Sequence, residues 1–357
     1  MDARAFRANF PVLERVAYLN AGTDGPIPRV AADAAMRELE AEATEGRVYS
    51  HFERRRALAD SLRAAYSSLL GCDVAELALT TSTSEGIGAV LGGLDLGPGD
   101  EIVTSDNEHP GVVGPLLVAR RRGAAVKAVP FNDVADAVSA TTTLVAVSHV
   151  NWHTGELAPE ALAEVPVPVL LDGAQGVGAV DVDVRRLGCA AYAASGQKWL
   201  CGADGTGMLY VAPDFLESVG PTRPGYTAFD DATRGLDSTF SAEARKLDAI
   251  SLPREGLALS LTALELLIAT GLEEIQARAA SLAAQLAERL GAAGRKVHPR
   301  GPTTLVAFED DDPEVTRERL FEAGISIRNL PGTPYLRASV GAWNDESDLE
   351  KLLSALA

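Results

Sequence analysis

Leu170-Leu171-Asp172-Gly173-Ala174-Gln175 and the later stretch Ala190-Ala191-Tyr192-Ala193-Ala194-Ser195-Gly196-Gln197-Lys198 decide how this chain is read. In each, a short apolar run ends abruptly in polar residues: an acid and an amide in the first, a lysine in the second. Such runs, bounded by glycine, have the length and texture of buried parallel strands. The carboxyl ends of parallel strands open onto the ligand crevice of an α/β sheet. An acid and a lysine are therefore expected in one crevice.

Working outward, the same texture recurs from Leu77 to about Val211. Strands are expected at 77–80, 101–105, 125–129, 144–149, 167–172, 190–194 and 208–211, with helical segments near 84–94, 112–122, 133–139 and 159–164. This alternation predicts an α/β fold: a large domain with a mostly parallel seven-stranded sheet covered by helices. Before it lie an N-terminal arm (1–19), a turn-rich stretch Asn20-Ala21-Gly22-Thr23-Asp24-Gly25-Pro26, and two helices at about 28–44 and 52–70. After it, residues 213–252 lose their period. Residues 255–293 are helical with a break at Gly271, and the tail reads β (303–308), α (313–323), β (325–329), β (335–340), α (345–356). The domain division is thus 1–19, 20–254 for the large domain, and 255–357 for a linking helix and small C-terminal α+β domain.

Composition narrows the function. A formal net charge of −18 argues against a nucleic-acid partner, which needs a basic face, and against anionic membranes. No run approaches the ~20 apolar residues of a membrane helix, and the start lacks a signal-peptide core, so a cytoplasmic location is expected. Three widely spaced cysteines, Cys72, Cys189 and Cys201, suit neither a disulfide framework nor a zinc site.

The acid and the lysine suit a pyridine ring that must stay protonated and an aldehyde that must form an imine, the chemistry of pyridoxal 5′-phosphate (PLP). A carboxylate within ~4–6 Å favours the protonated ring nitrogen, which assigns that role to Asp172. Gln175 is placed to hydrogen-bond the ring's phenolic oxygen, and Lys198 to form the imine. The phosphate needs a cradle. Thr80-Thr81-Ser82-Thr83-Ser84 runs from a strand end into a helix, where N–H groups and the helix dipole favour an anion. One hydroxyl suffices for a helix cap; five exceed it. Ser195 is a further phosphate donor. His109, in Asn107-Glu108-His109-Pro110-Gly111 after a strand, is placed to stack on the ring.

These residues bring a resemblance into view. Thr-Thr-Ser-Thr-Ser-Glu-Gly (80–86), Asn-Glu-His-Pro-Gly (107–111), Leu-Asp-Gly-Ala-Gln-Gly (171–176) and Ser-Gly-Gln-Lys-Trp-Leu-Cys-Gly (195–202) stand in the order of class V aminotransferase-like, fold type I PLP enzymes. That group includes cysteine desulfurases, isopenicillin N epimerase-like proteins and C–S lyases such as hercynylcysteine sulfoxide lyase. The resemblance extends from Tyr18-Leu19-Asn20 to Tyr335-Leu336-Arg337-Ala338-Ser339. It implies that Thr83 and Ser84 bind the phosphate, that Arg337 holds the substrate α-carboxylate, and that Asn20, Gly22 and Trp152 lie on the substrate side. It also implies a homodimer with shared active sites, in which a neighbour's hydroxyl, here Ser251, reaches the phosphate.

Three departures from the family bear on the reaction. Desulfurases carry a nucleophilic cysteine before the carboxylate arginine, whereas Asn329-Leu330-Pro331-Gly332-Thr333-Pro334-Tyr335 has none. Gln197 stands where histidine commonly precedes the lysine. Trp152 replaces an asparagine, as either substrate contact or packing under the ring. His153, Tyr49 and His51 are weaker candidates. The expectation is a PLP enzyme acting on a small amino acid, by β-elimination first, with transamination or epimerisation as alternatives.

Overall fold

The structure, a computed structural model, describes all 357 residues. Its strands are β1 (Ala17–Tyr18), β2 (Leu77–Thr80), β3 (Glu101–Ser105), β4 (Ala125–Val129), β5 (Thr142–Ser148), β6 (Val169–Asp172), β7 (Ala191–Ser195), β8 (Gly207–Val211), β9 (Leu305–Glu309), β10 (Ile325–Ser326), β11 (Arg328–Asn329) and β12 (Tyr335–Ser339). Seven form the central sheet in the order β2-β8-β7-β6-β5-β3-β4, with β8 alone running against its neighbours. The mostly parallel seven-stranded sheet expected from the sequence is present.

Alternation of side chains assigns each strand residue to one of two faces. Leu79, Leu171, Tyr192 and Met208 pack with Leu62, Tyr66, Leu257 and Leu264 from helices Tyr49–Leu70 and Arg254–Thr270. Their neighbours Ala78, Leu170, Ala193 and Leu209 pack with Ile87, Val90, Val112 and Leu116 from helices Thr83–Gly93 and Pro110–Arg121. Strands β2, β6, β7 and β8 are buried at every position, because helices cover both faces. That is why they read as unbroken apolar runs, each fully buried leucine contributing ~1.5–3 kcal/mol.

The small sheet, in the order β11-β12-β9, is antiparallel. The strand expected at 325–329 is split at Ile327. Its first half, β10, leaves that sheet to pair in parallel with β1, so the arm 1–19 is laid against the small domain. An isolated bridge from Asn20 to Ser339 continues this pairing and delivers the turn 20–26 beside β12. Two further expectations differ. Residues 133–139 form no helix beyond the 3₁₀ turn Phe131–Asp133, since so short a segment gains too little from packing to offset nucleation. The helix expected at 52–70 begins at Tyr49, taking Tyr49 and His51 out of the loop.

Helix Thr83–Gly93 approaches β7 closely because both surfaces are stripped of bulk. A Cβ at Gly86 would lie 2.8 Å from the Cβ of Ala193. Gly86→Ala is therefore expected to push the helix off the sheet and lower stability by about 1–3 kcal/mol, read as a fall in Tm and urea midpoint.

Candidate active site

Asp172 ends β6 and Ser195 ends β7, and the register pairs Asp172 with Ala193. The chain then turns so that Lys198 points back toward the acid. The turn is closed by Gly196 N–H to the Thr206 carbonyl (2.8 Å) and Cys201 N–H to the Lys198 carbonyl (3.1 Å). Cys201 holds φ at 56°, the only non-glycine residue with positive φ, which allows the chain to leave the lysine so sharply. The turn 20–26 docks here: Gly25 N–H donates to the Gln197 carbonyl (2.7 Å), and any side chain at Gly25 would collide with the Lys198 carbonyl.

These elements enclose a cavity of about 230 Å³ lined by Lys198, Asp172, His109, Gln175, Trp152 and Arg337, among others. Burial raises the Asp172 carboxyl above its ordinary value; the Lys198 ammonium and the Ala174 N–H, 2.9 Å from Oδ1, pull it back. Burial likewise lowers Lys198 to about 8, opposed by Asp172 and reinforced by Arg337. The lysine amine is thus available near neutral pH. His109 is lowered to about 4, by burial first and then by the charges of Lys198, Arg328 and Arg337. Its Nδ1 accepts from Gly111 N–H (3.0 Å), which puts the ring proton on Nε2. The neutral ring meets Trp152 edge-on, centroids 5.1 Å apart at 89°. Trp152 is itself held by Nε1–H to the Asn107 carbonyl (2.8 Å).

The hydroxyl-rich turn is divided in its use. Thr81 bonds to Glu85 through both its N–H (2.6 Å) and its hydroxyl (2.7 Å), and Thr80 donates to the Ser82 carbonyl (3.2 Å). Ser82 caps the helix at Glu85 N–H (3.2 Å), and Ser82, Thr83 and Ser84 line the cavity. Ser195 Oγ sits 2.7 Å from Thr83 Oγ1 and accepts from Thr83 N–H at 2.9 Å. The result is an anion cradle at a helix N-terminus, built from three hydroxyls of the turn and one of β7.

On the opposite side Arg337, 1% exposed, donates from Nη1 to the Trp152 carbonyl (2.6 Å), while its Nε and Nη2 have no partner. Burial and the neighbouring Arg328 lower its guanidinium to about 9. A buried cation without a carboxylate is costly unless the site is built to receive an anion. Gly22 lies against it: a Cβ there would stand 2.8 Å from Nη2. Gln175 donates to the Gly22 carbonyl (2.7 Å) and accepts from Trp199 Nε1–H (3.1 Å), leaving one N–H for a ligand oxygen.

Not every candidate is in the cavity. The Asn20 side chain accepts from Thr23 Oγ1 (2.8 Å) and stays outside, holding the turn together. Ser251 is exposed on the same chain, 3.3 Å from Arg55 Nη1. Tyr49 and His51 lie on their helix away from the site, and His51 instead faces Glu42. Conversely, Arg328, Asp24 and Gln197 line the cavity, and only the departure at Gln197 had signalled any of them. Arg328 lies directly opposite Arg337 in the β11–β12 register and so shares its face. Strand register carries that signal, and two arginines nine positions apart do not reveal it.

Comparison with known proteins follows this geometry. The family profile described as aminotransferase class-V matches residues 17–352. A probable cysteine desulfurase of Methanothermobacter thermautotrophicus is 31% identical over 63% of this chain and 60% of its own length. The isopenicillin N epimerase of Streptomyces clavuligerus is 34% identical over 58% of this chain and 56% of its own. The chain thus spans less than two thirds of either relative. Among solved structures, a C-DES variant in which alanine replaces a lysine, with glycine covalently linked to the PLP cofactor, superposes with TM-score 0.91. It is 28% identical, and the match covers 98% of both chains. The complex of the cystine C–S lyase C-DES with its product cysteine persulfide gives TM-score 0.90 at 28% identity, over 97% of this chain and 98% of that one.

The cofactor is pyridoxal 5′-phosphate, and the donors present fit it. The hydroxyl cradle suits its phosphate, Asp172 its ring nitrogen and Lys198 its aldehyde. With Lys198 near 8, reductive methylation of this residue in cofactor-free protein is expected to rise with a midpoint near pH 8. In Asp172→Asn the midpoint moves lower, because the anion that raised it is gone; peptide mass spectrometry reads both.

Proposed function

Because this chain belongs to the class-V aminotransferase family, we propose that it is a PLP-dependent C–S lyase, catalysing β-elimination from a cysteine-derived amino acid. The observation that carries this reading is a complete site without a thiol. None of the three cysteines lines the cavity. Burial pushes the Cys72 and Cys189 thiols up to about 12 and Cys201 higher still. The thiolate that a persulfide-forming desulfurase requires is missing, so sulfur departs with the leaving group.

Bound PLP supplies an aldehyde for amines and a ring into which electrons from the substrate α-carbon withdraw. The chain's residues do the rest. Asp172 holds a carboxylate at the ring nitrogen, and Arg337 takes the α-carboxylate through its free Nε and Nη2. Lys198, lowered to about 8 by burial, is far more readily deprotonated than an ordinary lysine and is placed to remove the α-proton. Trp152 and His109, packed edge to face, form one wall of the cavity. Epimerisation needs a second proton donor on the other side of the α-carbon. His109, lowered to about 4, is not protonated at neutral pH, and Gln197 does not titrate, which favours elimination over epimerisation.

Arg328 beside Arg337 adds a second cation to a cavity that holds no carboxylate paired with either. Two guanidiniums suit a substrate with two carboxylates, and cystine, the substrate class named for C-DES, has them. Incubation of the holoenzyme with cystine is expected to yield pyruvate, ammonia and cysteine persulfide as the departing half, with Lys198→Ala lowering the rate by at least about a thousandfold, within the range reported for lost catalytic groups. Amino transfer to keto acids without pyruvate is the contrary result.

We infer that the chain pairs as a homodimer. Tyr49 (74% exposed) and Phe52 (53%) are large exposed apolar side chains three positions apart on one helix, and Ile250 (67%) adjoins Ser251, which meets Arg55 of that helix. Ser251 stands on this face, where a neighbour's site can receive it. Phe52→Glu is expected to shift the mass by light scattering from dimer toward monomer.

A further inference from the structure

The buried acids of this chain are Glu38, Glu42, Glu76, Glu108, Asp172 and Asp348. Glu38 pairs with Arg54 and Arg254, Glu42 with Arg47, Glu76 with Arg185, and Asp348 with Arg7. Asp172 answers to Lys198 and to the ring nitrogen. Glu108 alone has neither a cation beside it nor a part in the chemistry above, although it stands next to His109. An acid buried without a cation is costly unless hydrogen bonds saturate it, so its contacts show what keeps it there.

Glu108 Oε1 accepts from the Ser105 hydroxyl (2.6 Å) and from Ser148 N–H (3.0 Å), and Oε2 accepts from the Ser148 hydroxyl (2.5 Å). Ser105 ends β3 and Ser148 ends β5. The register pairs these two strands only as far as Val103–Val145, so their ladder stops short of both ends. The Glu108 carboxyl spans that gap and takes the Ser148 N–H in place of a strand carbonyl. From Ser148 the contacts run on to the acid: the register sets Ser148 beside Asp172, and His149 N–H donates to the Asp172 carbonyl (2.8 Å). In the other direction, Glu108 lies between His109 and Asn107, whose carbonyl holds Trp152 Nε1–H and whose Oδ1 accepts from Asn151 Nδ2 (3.1 Å). Burial raises the Glu108 carboxyl above the ordinary range; the bonds from Ser105 and Ser148 pull it back, and Asp172 repels it.

We propose that Glu108 is a positioning residue for the cofactor, fixing the His109–Trp152 wall at a set distance from Asp172. Its carboxyl braces two strand ends, so that the ring meets His109 on its face while its nitrogen meets Asp172. The shape and contacts of the side chain do this, not its charge. Glutamine keeps all three contacts: its Oε1 accepts from Ser105 and from Ser148 N–H, and its Nε2 donates to the Ser148 hydroxyl. Alanine keeps none. Glu108 serves elimination and amino transfer alike, because it acts on the cofactor and not on the substrate.

Wild type is compared with Glu108→Gln, Glu108→Ala and Ser148→Ala by readouts that need no turnover and so stand apart from the lyase reading. Amide hydrogen exchange in cofactor-free protein follows Gly111 and Ser148. In the holoenzyme, PLP release is timed by capture on an excess of a second apo-enzyme, and visible circular dichroism reports how the ring is held. Thermal melting is the control for stability. Glu108→Ala is expected to release PLP at least about tenfold faster, the scale of one to two lost hydrogen bonds, with weakened dichroism and faster exchange at both amides. Glu108→Gln is expected to stay within about threefold of wild type, with its dichroism and protection kept. Ser148→Ala loses one contact and falls between them, and it carries the comparison if Glu108→Ala does not fold. A glutamine variant that behaves like the alanine one makes charge the operative property and overturns the proposal. So does an alanine variant that melts earlier yet holds PLP and its dichroism as wild type does, since Glu108 then only stabilises the fold.

Discussion

Desolvation of two opposite charges at one edge of the sheet is the constraint on which the rest of this structure depends. Asp172 and Lys198 are each destabilised by burial in their charged forms, and each is the other's principal relief. Moving either toward water would restore ordinary acid–base behaviour and lose the reactive amine. Asp172 therefore ends, and Lys198 closely follows, strands buried on both faces, whose stiffness comes from the helices packed above and below. Gly86 and the alanines of β7 serve that packing, and it sets the hydroxyl cradle beside Ser195.

The other half of the site reaches the sheet from a distance in sequence. Arg337 sits on β12 of the small sheet, and the turn 20–26 arrives through the β1–β10 pairing and the Asn20–Ser339 bridge. Three short glycine contacts close the seam: Gly22 against Arg337, Gly25 against the lysine loop, and Gly155 against Thr303 and Leu305. Because Arg337 is fixed by the Trp152 carbonyl on one side and has unpartnered nitrogens on the other, the cavity is electrostatically incomplete without an anion.

Much of this was legible beforehand where chemistry and local pattern coincide. Asp172 and Ser195 end strands, Gln175 and Lys198 each lie three residues past one, and Thr83, Ser84 and His109 stand at helix starts, so identifying the strands located them as well. The hydroxyl run overstated the cradle, because Thr80 and Thr81 spend their hydroxyls on the turn itself and on Glu85. Asn20 was placed one role too close to the substrate for the same kind of reason: a local bond to Thr23 satisfied it first. Short-range hydrogen bonds compete with ligand-facing roles, and residue type alone does not say which wins.

The amino-acid sequence by itself determined the α/β class, the mostly parallel seven-stranded sheet and the PLP cofactor. Each follows from short unbroken apolar runs, from strand-to-helix turns and from residues adjacent to them. Only the tertiary structure decided that Arg328 and Asp24 share a cavity with Lys198, and that Ser251 stands outside it on one chain. Those placements depend on β11–β12 register and on the docking of an N-terminal turn some three hundred residues from its partner. Register moves every side chain of a strand at once and leaves no trace in composition or local period, so its consequences appear only when the chain is folded.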